Sequence, residues 1–283
     1  MPLEKLFDEA DNPLTPEEQA QMQARVVDAA RRHLVGRRFI DLFGPLGAGV
    51  EALRIDQSVA AERASLDLGL ADPRPPLHRA THNPSAVPLI YRDFTLHWRD
   101  IAAAHENKVP LDFAVAELAA IACANREDEL IFYGDESLGI PGLLTIADRI
   151  QVPQGDWRTP GEGLAAVVRA AEALQQENPL PYALLLSPRL FALVHRVFEA
   201  SGTLEIDAIQ SFVQGGVFVS NQLELETAAL VAPGAQNFDL AVSLDLSLAF
   251  LGPDNLECPF RALEAVLPRV KRPLAICTLE KAM

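Results

Sequence analysis

The sequence predicts a mixed fold of helices and strands that is organised around one long, buried helix. From Phe113 to Ala124 every residue except Glu117 is apolar, which is typical of a helix covered on all sides. Residues 146–238 alternate helix-like and strand-like segments, as in an α/β or α+β unit. Residues 240–250 alternate in hydrophobicity with a period of two, which predicts a long strand.

The composition restricts the class of protein. At 283 residues the chain is long enough for two subdomains or one large domain. Its formal net charge of -15 argues against a nucleic-acid ligand, because phosphate binding depends on clusters of lysine and arginine. Three cysteines without a CxxC pair, together with the lack of a signal-peptide pattern or membrane span, predict a cytoplasmic protein with reduced thiols.

The first predicted helix runs from Thr15 to about Leu34. Thr15, Pro16 and Glu18 have the spacing of a capping box with proline in the first turn. Residues 36–41 resemble a short strand, and residues 44–49 a glycine-rich turn. The apolar stripe of the helix is narrow and repeats every four residues: Met22, Val26, Ala30 and Leu34.

Residues 51–88 carry little core pattern, and the prolines between positions 73 and 88 exclude a regular helix there. So long an extended stretch is unusual inside a compact domain. It is either a disordered loop or an arm that contacts another subunit. The aromatic and apolar residues 90–98 that follow favour the arm.

The rest of the chain continues the mixed pattern. Residues 260–279 have helix-like spacing but contain prolines that limit any helix to about two turns, so their structure stays open. Between residues 159 and 231 the pattern predicts, in order, a helix opened by a capping box at 159–162, a buried strand at 181–187, a helix from 187 to 202, a short helix from 206, a turn at 215–216, and strands at 217–220 and 228–231.

No recognised catalytic or metal-binding motif occurs in the sequence. The six histidines form no HExxH or ExxH pair, and no serine lies in a GxSxG motif. The acidic run 127–129 is interpreted as a solvated or salt-bridged turn, and Cys123 as a packing thiol. Trp98 and Trp157 are interpreted as core or interface anchors. We therefore predict no catalytic residue, cofactor or metal.

Several runs taken together resemble the linocin-like family 1 of encapsulin shell proteins. The similarity extends in the same order from Thr15 to Leu279, nearly the whole chain. The sequence HWRDI at 97–101 resembles the iron-storage branch most closely. The other runs are LVGRRFID at 34–41, GPLG at 44–47, EDELIFYG at 127–134, PYAL at 181–184 and DLS at 245–247.

The resemblance implies an α+β fold of the kind found in tailed-bacteriophage major capsid proteins, with a spine helix, an extended loop, and peripheral and axial domains. It also implies a strand over residues 260–270, against their helix-like spacing. The expected division is the N-terminal helix and start of the peripheral domain at 1–50, the extended arm at 51–92, the peripheral domain with the spine helix at 93–145, the axial domain at 146–238, and return strands of the peripheral domain and arm at 239–283.

The resemblance further implies a homo-oligomeric icosahedral shell that encloses a cargo enzyme through its C-terminal targeting peptide. The expected cargo is a ferritin-like, iron-oxidising protein rather than a peroxidase, and no nucleic acid or membrane is involved. By the same resemblance the first helix helps to form the cargo groove, and Ser201, Gly202 and Thr203 line a pore. The residues expected to contact the cargo peptide are Arg37, Phe39, Asp41, Asp245, Leu246 and Leu248.

Three other interpretations stay open at this point. Arg37 and Asp41 could serve only to brace the first helix. The chain could be an α/β hydrolase or protease whose site carries no familiar motif, or a prophage capsid protein. Because only about fourteen residues precede the first helix, where phage capsid proteins of this kind carry scaffolding sequence, we expect a cellular compartment.

Overall fold

A computed structural model describes residues 12–58, 79–107, 109–197 and 202–281, without the side chains of residues 58 and 79–83. Two sheets organise these residues. In the first sheet one edge strand is parallel to its neighbour and the other pairs are antiparallel. Its strands lie in the order β1 (Asp41–Phe43), β11 (Phe238–Phe250), β12 (Glu257–Val270) and β4 (Leu89–His97).

Three helices accompany the first sheet: α1 (Pro16–His33), α2 (Trp98–Asn107) and α3 (Ala114–Tyr133). Helix α1 begins as predicted, because the Thr15 hydroxyl accepts a bond from the Glu18 amide while the Glu18 carboxylate accepts one from the Thr15 amide. The residues of its predicted stripe are buried. Helix α2 was not predicted from the pattern.

The proposed arm forms a hairpin over its described part. Strands β2 (Ala52–Ser58) and β3 (Arg79–Ala86) pair antiparallel, with Ala52 opposite Ala86. Leu53 and Ile55 pack partly against the first core, so the base of the hairpin contacts its own subunit. The connecting residues 59–78 lie outside the described residues, and contact with another subunit stays a prediction.

The second sheet has five strands, in the order β7 (Ile150–Pro153), β13 (Ile276–Glu280), β10 (Ala228–Val231), β8 (Tyr182–Leu186) and β9 (Gln214–Val219). The short pair β5 (Gly134–Asp135) and β6 (Ile140–Pro141) follows α3. The division at residue 239 is therefore wrong for the last strand, because β13 pairs with β7 and β10 rather than with the first sheet. Helices α4 (Glu162–Gln175), α5 (Pro188–Val194) and α6 (Glu205–Val213) accompany the second sheet.

Two apolar cores share the second sheet as a common wall. Leu185 and Val231 belong to the first core, with α1, α3 and the first sheet. Leu184 and Leu230 point to the opposite face and belong to the second core, with α4 and α6. Because side chains alternate between the faces of a strand, every residue of β8 and β10 is buried.

A single subunit covers α3 on one side only, so the prediction that the helix is covered on all sides depends on contacts beyond the subunit. Cys123, Ala124 and Ile131 are buried on one side, whereas Val115 is 43% exposed and Leu118 64% exposed on the other. An exposed apolar stripe on the longest helix requires cover from another molecule if it is to leave water.

Strand β12 confirms the implication of the resemblance over the local pattern. Residues 260 and 267 have helical spacing, but the chain pairs with β11 on one side and β4 on the other. Strand β11 also departs from the simple alternation that was predicted. It is buried on both faces from Phe238 to Ser243, and two register shifts between Val242 and Ser247 break its period.

Four further local predictions differ from the structure. Residues 36–38 form a 3₁₀ turn instead of a strand, with strand β1 only from Asp41. Gly161 rather than a side chain caps α4, and α5 ends at Val194, where the ring of His195 bonds the carbonyl of Phe191. Residues 215–216 lie within β9, because Gly215 packs directly against the carbonyl of Tyr182.

Gly134 ends α3 and should tolerate no side chain. Its φ is +73°, and an added Cβ would lie 2.0 Å from the carbonyl oxygen of Ile140. We expect Gly134→Ala to lower the free energy of unfolding by about 3 kcal/mol or more. Gly139→Ala, with φ +66° and open space around it, should cost only about 1 kcal/mol. Equal losses in denaturant unfolding would contradict the steric explanation.

Candidate functional site

A groove of about 1300 Å³ lies between α1 and β11. Helix α1 forms one wall, and the second half of β11 forms the other. The loop residues Pro45 and Leu46 lie at the groove as well. Its lining is largely apolar or small, and includes Ala20, Ala24, Val27, Leu244, Leu248, Phe250 and Phe260.

Helix α1 is held at a fixed distance from β11. Its buried residues Met22 and Val26 belong to the core that includes α3. The Gln23 side-chain amide donates a bond of 2.9 Å to the carbonyl oxygen of Leu246 on β11. At the first turn, Glu18 contacts the ring of His105 on α2 at 3.1 Å. These contacts fix both walls of the groove without filling it.

Arg37 bonds Asp245, which lines the groove, and its side chain joins four elements. Its Nε and Nη2 donate bonds of 2.7 and 2.6 Å to Glu127 on α3, which is fully buried. Nη1 donates to Asp245 on β11 at 2.7 Å, and Nη2 lies 3.1 Å from Glu264 on β12. The guanidinium of Arg37 therefore contacts three carboxyl groups, two of which are buried.

The environment of Glu264 favours the protonated form of its carboxyl group. Burial, reinforced by repulsion from Glu127, raises the pKa of Glu264 to about 9. Its Oε1 atom is buried without a hydrogen-bond partner among the described residues, whereas Oε2 meets Arg37. A neutral Glu264 avoids a second uncompensated charge beside the Arg37–Glu127 pair.

Asp128 explains the turn that positions Arg37. Its carboxylate accepts bonds from the amides of Val35 and Gly36 at 2.9 and 2.8 Å. Burial raises the pKa of Asp128 to about 6, although the two amide bonds act in the opposite direction. Glu127 is therefore a buried member of an ion pair, and Asp128 is a buried residue that accepts bonds from two backbone amides. The prediction that residues 127–129 form a solvated turn is wrong for these two residues.

The structure gathers only part of the predicted cargo contacts at the groove. Asp245 and Leu248 line it. The side chain of Leu246 is buried, and its carbonyl oxygen accepts the bond from Gln23 of α1. Arg37 is connected to the groove by its bond to Asp245.

Two predicted contacts lie elsewhere. The buried ring of Phe39 packs 5.2 Å from that of Phe218, and Asp41 is exposed on β1. The α1 residues Ala20, Ala24 and Val27 were not named from the sequence. Their spacing of three or four residues, on the side opposite Met22 and Val26, is the signal that identifies them.

The predicted pore residues are only partly described. Ser201 lies outside the described residues, and Gly202 and Thr203 are exposed. The base of their loop is fixed, because Arg196 pairs with the buried Glu205 at 3.0 Å and donates to the carbonyl oxygens of residues 157–159. A pore at this position stays a prediction.

Two general tests of the described residues bear on function. No three His, Cys, Asp or Glu side chains in these ranges come together in a way that could hold a metal ion. None of the helices within them is long and apolar enough to cross a membrane.

Comparison with known structures shows the fold. A virus-like particle subunit from Pyrococcus furiosus superposes with a TM-score of 0.74 at 18% identity, covering 94% of this chain and 99% of that one. The capsid of Myoviridae phage XM1 gives a TM-score of 0.62 at 11% identity, covering 87% and 90%. The molecule therefore has the α+β fold of phage capsid proteins, as the resemblance implied.

Sequence comparison shows the family. Residues 4–267 match the family described as encapsulating protein for peroxidase. The type 1 encapsulin shell protein EncA of Myxococcus xanthus is 46% identical over 274 residues, 96% of each chain. A ferritin-like–encapsulin shell fusion protein of Pyrococcus furiosus is 26% identical over 160 residues, 56% of this chain and 46% of the fusion.

The fold class is therefore that of phage capsid proteins. Within that class, this chain belongs to the encapsulin shell family. The proteins of this family are cage components and not enzymes, so the hydrolase or protease alternative is excluded.

Glu264 gives this site a pH dependence of known sign. The folded subunit retains the Glu264 proton between the ordinary pKa of 4.5 and about 9, whereas the unfolded chain releases it. Stability from this group is therefore full below pH 4.5 and falls as pH rises toward 9. Glu264→Gln should remove this loss of stability at high pH. The free energy of unfolding of the variant, relative to that of the wild-type chain, should therefore rise by at least about 1 kcal/mol between about pH 5 and pH 9.

The control for this experiment is Glu257→Gln, which removes an exposed carboxylate from the same strand. Denaturant unfolding at a series of pH values measures both variants. A parallel pH profile for Glu264→Gln and the wild-type chain would show that Glu264 is ionised in the folded state.

Proposed function

We propose that this chain is the shell subunit of an encapsulin nanocompartment, which assembles into an icosahedral shell in the cytoplasm and encloses a cargo enzyme through the cargo's C-terminal targeting peptide. The observation that carries the proposal is the groove between α1 and β11, which is preformed, largely apolar and about 1300 Å³ in volume. Grooves of this kind, with apolar walls beside a strand, bind extended peptide segments. Identity of 46% over 96% of an encapsulin shell protein favours a cellular compartment over a prophage capsid.

Assembly is supported by apolar surface that one subunit leaves exposed. A surface depression of about 350 Å³ is lined by Leu89, Tyr91, Leu138 and, from α3, Ala122. Leu118 lies one helical turn before Ala122 on α3. These four large side chains are each between 48% and 64% exposed. We assign this apolar patch to contact between subunits, since burial of apolar area stabilises association by roughly 25 cal/mol per Å².

A ferritin-like, iron-oxidising protein is the cargo that we favour. Two observations support it. HWRDI at 97–101 resembles the iron-storage branch of the family. A relative joins a ferritin-like domain to an encapsulin shell in one chain. Iron storage and protection from oxidative stress would follow from iron oxidation inside a closed shell.

The assembly proposal predicts a loss of closed particles in Leu118→Arg. Because the side chain is 64% exposed, the variant subunit should fold normally, while a charge in the subunit contact should reduce the yield of high-mass particles at least about tenfold. Leu256→Arg is the matched control, equally exposed but on the turn between β11 and β12. Size-exclusion chromatography with light scattering measures both, and unchanged particles in Leu118→Arg would contradict the assignment.

The cargo proposal predicts empty shells in Ala24→Trp. An indole at this exposed position on α1 would occupy the groove and should weaken cargo binding at least about tenfold. Gln21→Trp places the same bulk on α1 outside the groove, and should leave loading unchanged. The measurement is the mass of cargo that co-purifies per shell from the native host. Full loading of intact Ala24→Trp shells would place the cargo site elsewhere.

A further inference from the structure

The floor of the groove is an open sheet edge. Strand β11 pairs with β12 along its length, but its pairing with β1 covers only residues 239–241. Beyond that point the chain covers two more groups on this edge, since the amides of Leu46 and Gly47 bond the carbonyl oxygens of Val242 and Ser243 at 2.9 and 3.0 Å.

The bonding pattern of the hairpin shows which backbone groups face the groove. The amide of Leu251 bonds the carbonyl of Pro259 at 3.0 Å, so positions 249 and 247 are the next bonded positions toward β12. Leu248 and Phe250 alternate with them and direct their amides and carbonyls to the opposite edge. Among the described residues, none is recorded as bonding these four groups.

Several other polar groups of the groove already have partners. Asp245 accepts from Arg37, Asp28 accepts from Arg32, and the carbonyl of Leu246 accepts from Gln23. The backbone amides and carbonyls of Leu248 and Phe250, by contrast, have no hydrogen-bond partner among the described residues, and they lie in a largely apolar lining. Ala20 and Ala24 leave space on the facing wall of α1.

We propose that the cargo segment binds as an added strand, with its backbone paired to Leu248 and Phe250 of β11. The inference rests on the proposed function and specifies its binding mode. An extended polypeptide supplies the alternating donors and acceptors that an open edge requires, together with side chains for the apolar wall. The backbone bonds carry affinity that does not depend on sequence, and the wall of α1 selects the side chains.

Backbone methylation of the peptide tests this mode directly. The probe is the synthetic, fluorescein-labelled C-terminal segment of the cargo that co-purifies with wild-type shells. Two further versions carry N-methyl groups on odd or on even residues. Shells are disassembled and reassembled with each peptide, and the fluorescence retained per shell is measured after size-exclusion chromatography.

An added strand bonds one edge through every second residue only. One methylated series should therefore lose retention at least about tenfold, and the other should stay within about threefold of the unmodified peptide. Equal effects of both series would overturn strand addition while the cargo groove stands. No retention of the unmodified peptide would overturn both proposals, as expected if a second copy or the chain's own residues 1–11 occupy the edge.

A variant pair tests the same inference from the shell side. Leu248→Pro removes the amide that faces the groove but no bond to β12, and β12 itself carries prolines at 259 and 268. Leu248→Val keeps the amide. With a green fluorescent reporter bearing the same cargo segment, Leu248→Pro should load about fivefold less than Leu248→Val. Equal loading of intact shells would contradict the proposal; if Leu248→Pro fails to assemble, the methylated peptides decide.

Discussion

The structure of the groove depends on the ion cluster of Arg37. This one side chain joins the turn after α1 to α3, β11 and β12, over separations of 90 to 227 residues in sequence. Removing the cation would leave Glu127 and Glu264 buried without it, which typically costs about 3–5 kcal/mol. The Arg37 side chain contacts α3, β11 and β12, so it fixes the turn after the first helix, and its bond to Asp245 extends this network to a residue that lines the groove.

The two halves of the groove are positioned by different physical means. Helix α1 is set by apolar packing on α3 and by one side-chain amide that reaches the backbone of Leu246. Strand β11 is set by its ladder with β12, which is irregular between Val242 and Ser247. Asp245 lies within that irregular segment and accepts a bond from Arg37, and Leu248 and Phe250 follow in regular alternation beyond it.

How far the sequence predicts this molecule depends on the range of the interaction. Local chemistry predicts α1 with its capping box, the fully buried strand β8 and strand β10, because their signals lie within a few residues. The strand β12 could not be predicted from its own residues, since Phe260 and Leu267 have helical spacing and only pairing with distant strands decides the outcome. The buried pairing of Glu127 with Arg37 is missed for the same reason, because an acidic run looks solvated until its distant partner is known.

The position of β13 has a consequence for the order in which the two cores are completed. This strand, Ile276–Glu280, lies inside the second sheet between β7 and β10 rather than at its edge. Without β13, strand β7 has no partner in this sheet and β10 keeps only β8, so the wall shared by the two cores is incomplete. Docking of β13 therefore completes both cores in one step, because Ile276 belongs to the first core and Cys277 and Leu279 belong to the second.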